Sequence, residues 1–285
     1  MLLNLAANLL EHSQAMAAMT RDTLGGPINV AGAMEPAFAV EALRYFSGWT
    51  DKLSGETFPE EDVFFKLVRQ EPLGVVSGII PWNAPIGSAC AKAAPALSTG
   101  NCFILKLSEK TPFADLAMGS LAKAAGFPPG VLQVLSGDGS TGAIIANHMR
   151  LRKVSFTGST ATGKKIQEMA AQSNLKRVTL ELGGKGPALV FGDAKIKNTV
   201  TWSLLEEKTK LVGDPDDPNS FVGPVVDESQ FNRAMGFIKR GNSQGTVLVG
   251  GNRVHDKGCY VASTVFTDVA EDAEVIRQEI LVQWL

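Results

Sequence analysis

The sequence predicts an α/β fold built on a doubly wound parallel sheet, and two features carry that prediction. Five short apolar runs, LGVVSGIIPWN from Leu73, CFILK from Cys102, VLQVLSG from Val131, KVSFTGS from Lys153 and VTLEL from Val178, lack polar alternation, as strands buried on both faces require. Between them lie helix-like segments, SACAKAAPAL, PFADLAMGSLAKAAG, GSTGAIIANH and GKKIQEMAAQ. Strands that alternate with helices at this spacing specify a parallel sheet with right-handed crossovers. With 285 residues, 45% of them hydrophobic, the chain can bury one large core or two modest ones.

Ahead of the sheet the elements are helical. Leu2, Leu5, Leu9, Met16 and Met19 share one stripe, which predicts a single amphipathic helix that stops before Gly25-Gly26-Pro27. His12 sits in that stripe and reads as a partly buried core residue rather than a metal ligand. Glu35-Pro36 is expected to open a second helix, with Phe38, Ala42, Phe46, Trp49 and Leu53 facing inward and Ser54-Gly55 ending it. The stretch VFFKLVRQ, Val63 to Gln70, mixes β-branched and aromatic residues with charges and precedes Glu71-Pro72. It predicts an exposed hairpin arm over residues 60–72, a candidate contact for a homo- or hetero-oligomer.

Composition excludes several partners. A net charge of −2 and a pI near 6.0 provide no basic field for nucleic acid, so a small molecule is the expected ligand. The three cysteines, Cys90, Cys102 and Cys259, are too scattered for a disulfide framework or a zinc site, and no metal is expected. The N-terminal stretch contains Asn4, Asn8, Glu11 and His12, unlike a signal peptide. No apolar run approaches the roughly 20 residues of a membrane span. The expectation is a cytoplasmic protein without membrane contact.

In an open α/β sheet, ligands sit beyond the carboxyl ends of the strands. Those ends carry Ile80-Pro81-Trp82-Asn83, Lys106, Gly158-Ser159 and Glu181. The fourth strand runs through F-T-G-S-T-A-T-G, Phe156 to Gly163, into a helix, so backbone N–H groups and a helix N-terminus would face a pyrophosphate. Alone, that glycine spacing equally fits a turn that uses glycine for its backbone freedom. Lys106, with Glu109 three residues later, suits the hydroxyls of an adenosine ribose. Glu109 would repel a 2′-phosphate, which favours NAD over NADP; the alternative is a solvated helix start in which Glu109 complements the macrodipole.

Taken together, EPLGVVSGIIPWNAP, ILKLSEKTP, VSFTGSTATG, VTLELGGKGP and VGDPDDPNSFVGPVV, in that order, resemble the NAD(P)-dependent aldehyde dehydrogenase superfamily. The resemblance implies a Rossmann-like NAD-binding domain over residues 1–187 and an incomplete second α/β domain, the catalytic one, over 188–285. The implied reaction converts an aldehyde, NAD and water to a carboxylate and NADH. In that frame Asn83 matches the amide that donates to the oxyanion, and Glu181 the general base that activates water. Lys106 and Glu109 match the ribose pair, although Leu107 stands where the family has proline. Gly158 and Ser159 match the pyrophosphate contact, and Ile80, Pro81, Trp82, Gly163 and Leu182 the surrounding cofactor positions. Glu279 in RQEIL matches the glutamate at the nicotinamide ribose, with Leu281 in place of phenylalanine.

One element of the pattern is missing. The family's chemistry needs a cysteine thiolate to attack the aldehyde, in a segment resembling F-x-N-x-G-Q-x-C beyond the general base. Here Glu181 is followed by LGGKGPALVFGDAKIKNTVTWSLLEEKTKLVGDP, with no cysteine between Cys102 and Cys259. Cys90 lies seven residues after Asn83, about 10 Å along a helix, too far to share one reacting carbon. Cys259 reads as a small buried thiol. The chain therefore reads as an aldehyde dehydrogenase by descent whose turnover is impaired or absent. The alternatives are a non-catalytic dinucleotide-binding partner of a full-length homologue, or a non-functional gene fragment with its junction near Trp202.

Overall fold

The computed structural model describes residues 1–28, 31–59, 63–187, 189–195 and 211–280. Residues 60–62 of the predicted arm, the junction near Trp202, Leu281 and the final Gln283 to Leu285 lie outside the described residues. The chain forms two compact units, one of residues 1–16 and 34–182, the other of 17–33 and 183–285.

The first unit is organised by five strands, β3 (Val75–Ile79), β4 (Cys102–Lys106), β5 (Leu132–Leu135), β6 (Lys153–Gly158) and β7 (Arg177–Leu182), all parallel, in the order β5-β4-β3-β6-β7. Helices α4 (Pro85–Ser98), α5 (Pro112–Ala124), α6 (Gly139–Asn147) and α7 (Thr160–Gln172) make the crossovers. The chain winds outward from β3 through β4 to β5, then returns to the other side of β3 for β6 and β7. That reversal is the doubly wound topology expected from the five apolar runs, and it opens a crevice at the carboxyl ends beside β3.

Packing explains why the central strand has the sequence it has. Val76, Ser77 and Ile79 of β3 are buried, and Ser77 satisfies its hydroxyl by donating to Ile104 O at 2.7 Å. A Cβ on Gly78 would meet Phe103 Cζ at 2.5 Å and Lys92 Cδ at 3.2 Å, so only glycine lets Phe103 and Lys92 cross the strand this closely. Under α6 and α7, Ile79, Ile145, Leu151, Val154, Phe156 and Ile166 form one apolar cluster.

The helical start departs from its prediction. The first stripe is split into α1 (Leu2–Glu11) and α2 (Ser13–Leu24) at His12, which is exposed rather than partly buried, its Nδ1 2.9 Å from Asn8 O. Helix α3 (Ala31–Ser47) begins before Glu35-Pro36 and carries Pro36 inside. Pro36 lies in the second turn, where its missing N–H removes one i→i−4 hydrogen bond from the helix. Its inward face is Pro36, Ala39, Val40 and Leu43, whereas Phe38, Trp49 and Leu53 are exposed. The reason is close packing: Phe38 Cδ1 lies 3.1 Å from where a Cβ of Gly87 would stand, so its ring covers α4 from outside. β1 (Glu56–Thr57) pairs antiparallel with β2 (Leu67–Val68), both exposed, so the first strand precedes the predicted span of 60–72.

In the second unit α8 (Glu228–Gly241) is capped by Asp227, whose carboxylate accepts from Gln230 N at 2.7 Å. Strands β8 (Thr246–Val249) and β9 (Val265–Thr267) pair antiparallel, and a single turn, α9 (Glu274–Arg277), follows. Val225, Ala234, Ile238 and Val261 form its apolar centre.

Candidate functional site

The parallel register brings the predicted residues of the first unit to one edge. Ile79 pairs with Lys106 on one side and Phe156 on the other, and Gly158 pairs with Leu182. Lys106, Ile80, Gly158 and Glu181 therefore stand in a row across four neighbouring strands, about 14 Å from end to end at the usual interstrand spacing. Such a row suits an elongated ligand lying across the strands.

At the β4 end, Lys106 is 5% exposed, yet its ammonium emerges within 3.7 Å of Glu109 Oε2. Its strand is locked in place, since Ile80 N donates to Lys106 O at 3.1 Å and Leu107 N to Leu135 O at 3.0 Å. A second carboxylate, Asp138, belongs to this end. Its side chain caps α6 by accepting from Ser140 N at 2.9 Å. Its carboxyl is held below the usual range, first by the Ser140 hydroxyl, then by that backbone N–H, with a smaller pull from Lys106. In the sequence Asp138 reads only as a turn residue, and nothing but the fold pairs it with Lys106.

Following β3, Thr111 Oγ1 donates to Trp82 O at 3.2 Å and Lys110 Nζ lies 5.9 Å from the centre of the Trp82 ring, which fixes the Pro81-Trp82 turn against the start of α5. Asn83 is half-buried, and its side-chain oxygen is sealed from solvent with no hydrogen-bond partner among the described residues. A buried polar atom left unpartnered costs on the order of 1–3 kcal/mol.

At the β6 end Ser159 is the N-cap of α7, and its hydroxyl accepts from Thr162 N at 3.3 Å. A Cβ on Gly158 would strike Phe156 Cζ at 2.6 Å, and one on Gly163 would strike Leu182 Cδ2 at 2.6 Å. Gly163 and Leu182 thus share a packing contact that draws the start of α7 down onto β7, leaving the first-turn N–H groups directed past the sheet edge.

Glu181 is exposed near the end of β7. Its neighbourhood holds a residue that the motifs did not single out. Lys92, the lone charge in SACAKAAPAL, donates to Ser155 Oγ at 3.0 Å. Burial lowers Lys92 to about 8, while Glu181 pulls it up and Lys153 pushes it down. A solitary lysine in a small-residue helix is the available signal, and the sequence reading takes it only as part of a helix-like segment. Glu279 belongs to the second unit, where its carboxylate packs against the backbone of Gly183 and its carbonyl accepts from Arg233 Nη2 at 3.3 Å.

The three cysteines are free thiols. Burial pushes the Cys90 thiol far up, and Asp115 and Glu35 add to the effect. Cys259 is raised by burial and then by Glu228, against a pull from Arg253 that outweighs the small push from Asp227. Neither is in the electropositive setting that makes a thiolate. Among the described residues no cluster of His, Cys, Asp and Glu is arranged to hold a metal ion, and no helix is long and apolar enough to cross a membrane.

A doubly wound parallel sheet, with a helix N-terminus and a lysine–carboxylate pair at its switch point, defines a Rossmann-like α/β protein. The sequence signature of the aldehyde dehydrogenase family matches residues 1–207 and 202–282, and the chain belongs to that family. It is 39% identical to the mitochondrial aldehyde dehydrogenase of Equus caballus and 40% identical to retinal dehydrogenase 2 of Mus musculus, each alignment covering 98% of this chain. The NAD+ complex of an aldehyde dehydrogenase from Bacillus cereus superimposes with a TM-score of 0.93 at 35% identity, over 99% of this chain and 64% of that one. The chain spans 63% and 61% of the length of the two curated relatives. Both alignments run over 314 positions against a chain of 285 residues, so at least 29 positions of each relative have no counterpart here.

Proposed function

We propose that the first unit binds NAD across the carboxyl edge of its sheet and that the chain oxidises aldehydes little or not at all. The observation that carries the binding half is the buried Lys106 with Glu109 Oε2 at 3.7 Å, at the strand end where a ribose would lie. Lys106 donates to the ribose hydroxyls and Glu109 accepts from them. The Glu109 carboxylate repels a 2′-phosphate, so NAD is preferred to NADP. Ser159 and the first turn of α7 face the pyrophosphate, and Gly158 keeps the backbone free of a side chain where the two approach.

NAD, when bound, supplies the hydride acceptor for aldehyde oxidation. Asn83 is the amide donor for the oxyanion, and Glu181 accepts the proton from water, with Lys92 beside it to stabilise the carboxylate. Glu279 is assigned to the nicotinamide ribose, and Ile80, Pro81, Trp82, Gly163 and Leu182 shape the cofactor's surroundings. What the chain lacks is the nucleophile. Cys90 is sealed in the core, and burial, with Glu228 adding to it, opposes ionisation of Cys259.

Thermal unfolding with increasing NAD, and separately NADP, tests the binding half. A folded binder is stabilised by about 2.7 kcal/mol at a hundredfold excess of ligand over Kd; no shift with either dinucleotide would overturn it and leave a non-functional fragment. NADH formation over a panel of aliphatic and aromatic aldehydes, with Glu181→Gln in parallel, tests the other half. Turnover that the variant loses would mean that a substitute nucleophile exists.

A second reading has its own observation. In the arm, Val63 is 92% exposed and Phe64 and Phe65 each 66%, an apolar surface suited to pairing with another copy or with a full-length homologue. Co-elution with a full-length family member, lost in Phe65→Asp, would support a non-catalytic partner role.

A further inference from the structure

Away from the sheet edge, the first unit buries two carboxyl groups that the cofactor site does not use. Asp115, in the first turn of α5, is 0% exposed, and Glu35 of α3 reaches the first turn of α4. All four carboxyl oxygens are shielded from solvent, and none has a hydrogen-bond partner among the described residues. Two acids placed this way are held by mutual neutrality, because an ionised carboxylate without a partner is among the costliest groups to bury.

Among the described residues the surroundings show no compensating charge. Each carboxyl acts on the Cys90 thiol of α4, and Asp115 acts on Glu35. The backbone N–H groups of Ile86 and Gly87 pull Glu35 down weakly, without a well-formed hydrogen bond. Helix α1 contributes the apolar Leu2, Leu5 and Leu9 to the core, and its Asn8 amide donates to Leu121 O at 3.2 Å rather than to either acid. Among the described residues no lysine, arginine or histidine contributes to the charge balance of either group.

We propose that Glu35 and Asp115 form a proton-dependent latch, which holds α3 on the first turns of α4 and α5 while both carboxyls carry protons and releases it when they ionise. The sign follows from burial. Glu35 moves from 4.5 to about 8 and Asp115 from 3.8 to about 8, burial being the main cause in each. In the open state both return to ordinary carboxylic acids. Opening is therefore opposed fully below about pH 4 and becomes easier as pH rises toward 8, after which the effect levels off.

Hydrogen exchange of the full chain, read by mass spectrometry at pH 5, 6, 7 and 8 and corrected for intrinsic rates, tests the latch. The opening constant of α3 is expected to rise up to about tenfold per pH unit for each ionising carboxyl, while peptides from β4 stay unchanged. Glu35→Gln with Asp115→Asn should flatten the α3 profile. If the double variant does not fold, Asp115→Asn alone should roughly halve the slope. A wild-type α3 profile independent of pH, or the same slope with the acids replaced, would overturn the proposal.

Discussion

Lys92 gains its meaning from three side chains that are distant in sequence: Ser155, which it donates to, Glu181, which attracts it, and Lys153, which repels it. Replacing Glu181 by Gln removes the carboxylate that pulls Lys92 up, so Lys92 should titrate below about 8. The Nζ chemical shift followed against pH reads this directly, and an unmoved titration would separate Glu181 from Lys92. At the other end of the row, Lys106→Met should remove most of the thermal stabilisation by NAD with little change in the stability of the free protein, a result that calorimetry with and without the dinucleotide would check. Lys106 and Glu109 were legible because a strand end followed by a helix start fixes where both must lie. Asp138 and Lys92 were not, because a capping aspartate and a helical lysine have the same local pattern wherever they point.

Elements obey packing before pattern. In α3 the large aromatic Phe38 is exposed, and the buried face belongs to Ala39, Val40 and Leu43. Small side chains win that face because they let the helix approach closely, and bulk at Phe38 then closes over Gly87. The same logic makes Gly163 a sensitive position, since Leu182 and Leu180 already occupy the space a side chain would need. Gly163→Val is expected to cost about 1–3 kcal/mol through overpacking. A lower urea midpoint at unchanged m-value would register it, and an unshifted midpoint would show that α7 can move off β7 freely.

For the whole molecule, the pH profile of stability carries the clearest prediction. Two acids raised to about 8 by burial give a native state that holds protons the unfolded chain has released. Their contribution is complete below about pH 4 and declines as pH rises to about 8. Thermal midpoints measured from pH 5 to 8 should therefore fall more steeply for the wild type than for Glu35→Gln with Asp115→Asn. Parallel lines would show that other groups set the profile.

By itself the sequence determined the family and a doubly wound parallel sheet of five strands, because apolar runs alternating with helices specify parallel crossovers, and the strand ends then place Lys106, Ser159 and Glu181 on one edge. It also left no cysteine between Cys102 and Cys259. Tertiary structure alone decided which face of α3 is buried, that Lys92 feels the charge of Glu181, and that Glu35 and Asp115 are both buried with no cation among the described residues balancing them. Each of these depends on how close two helices or a helix and a sheet can come, a distance set by side-chain volumes on both partners at once, which no single stretch of sequence contains.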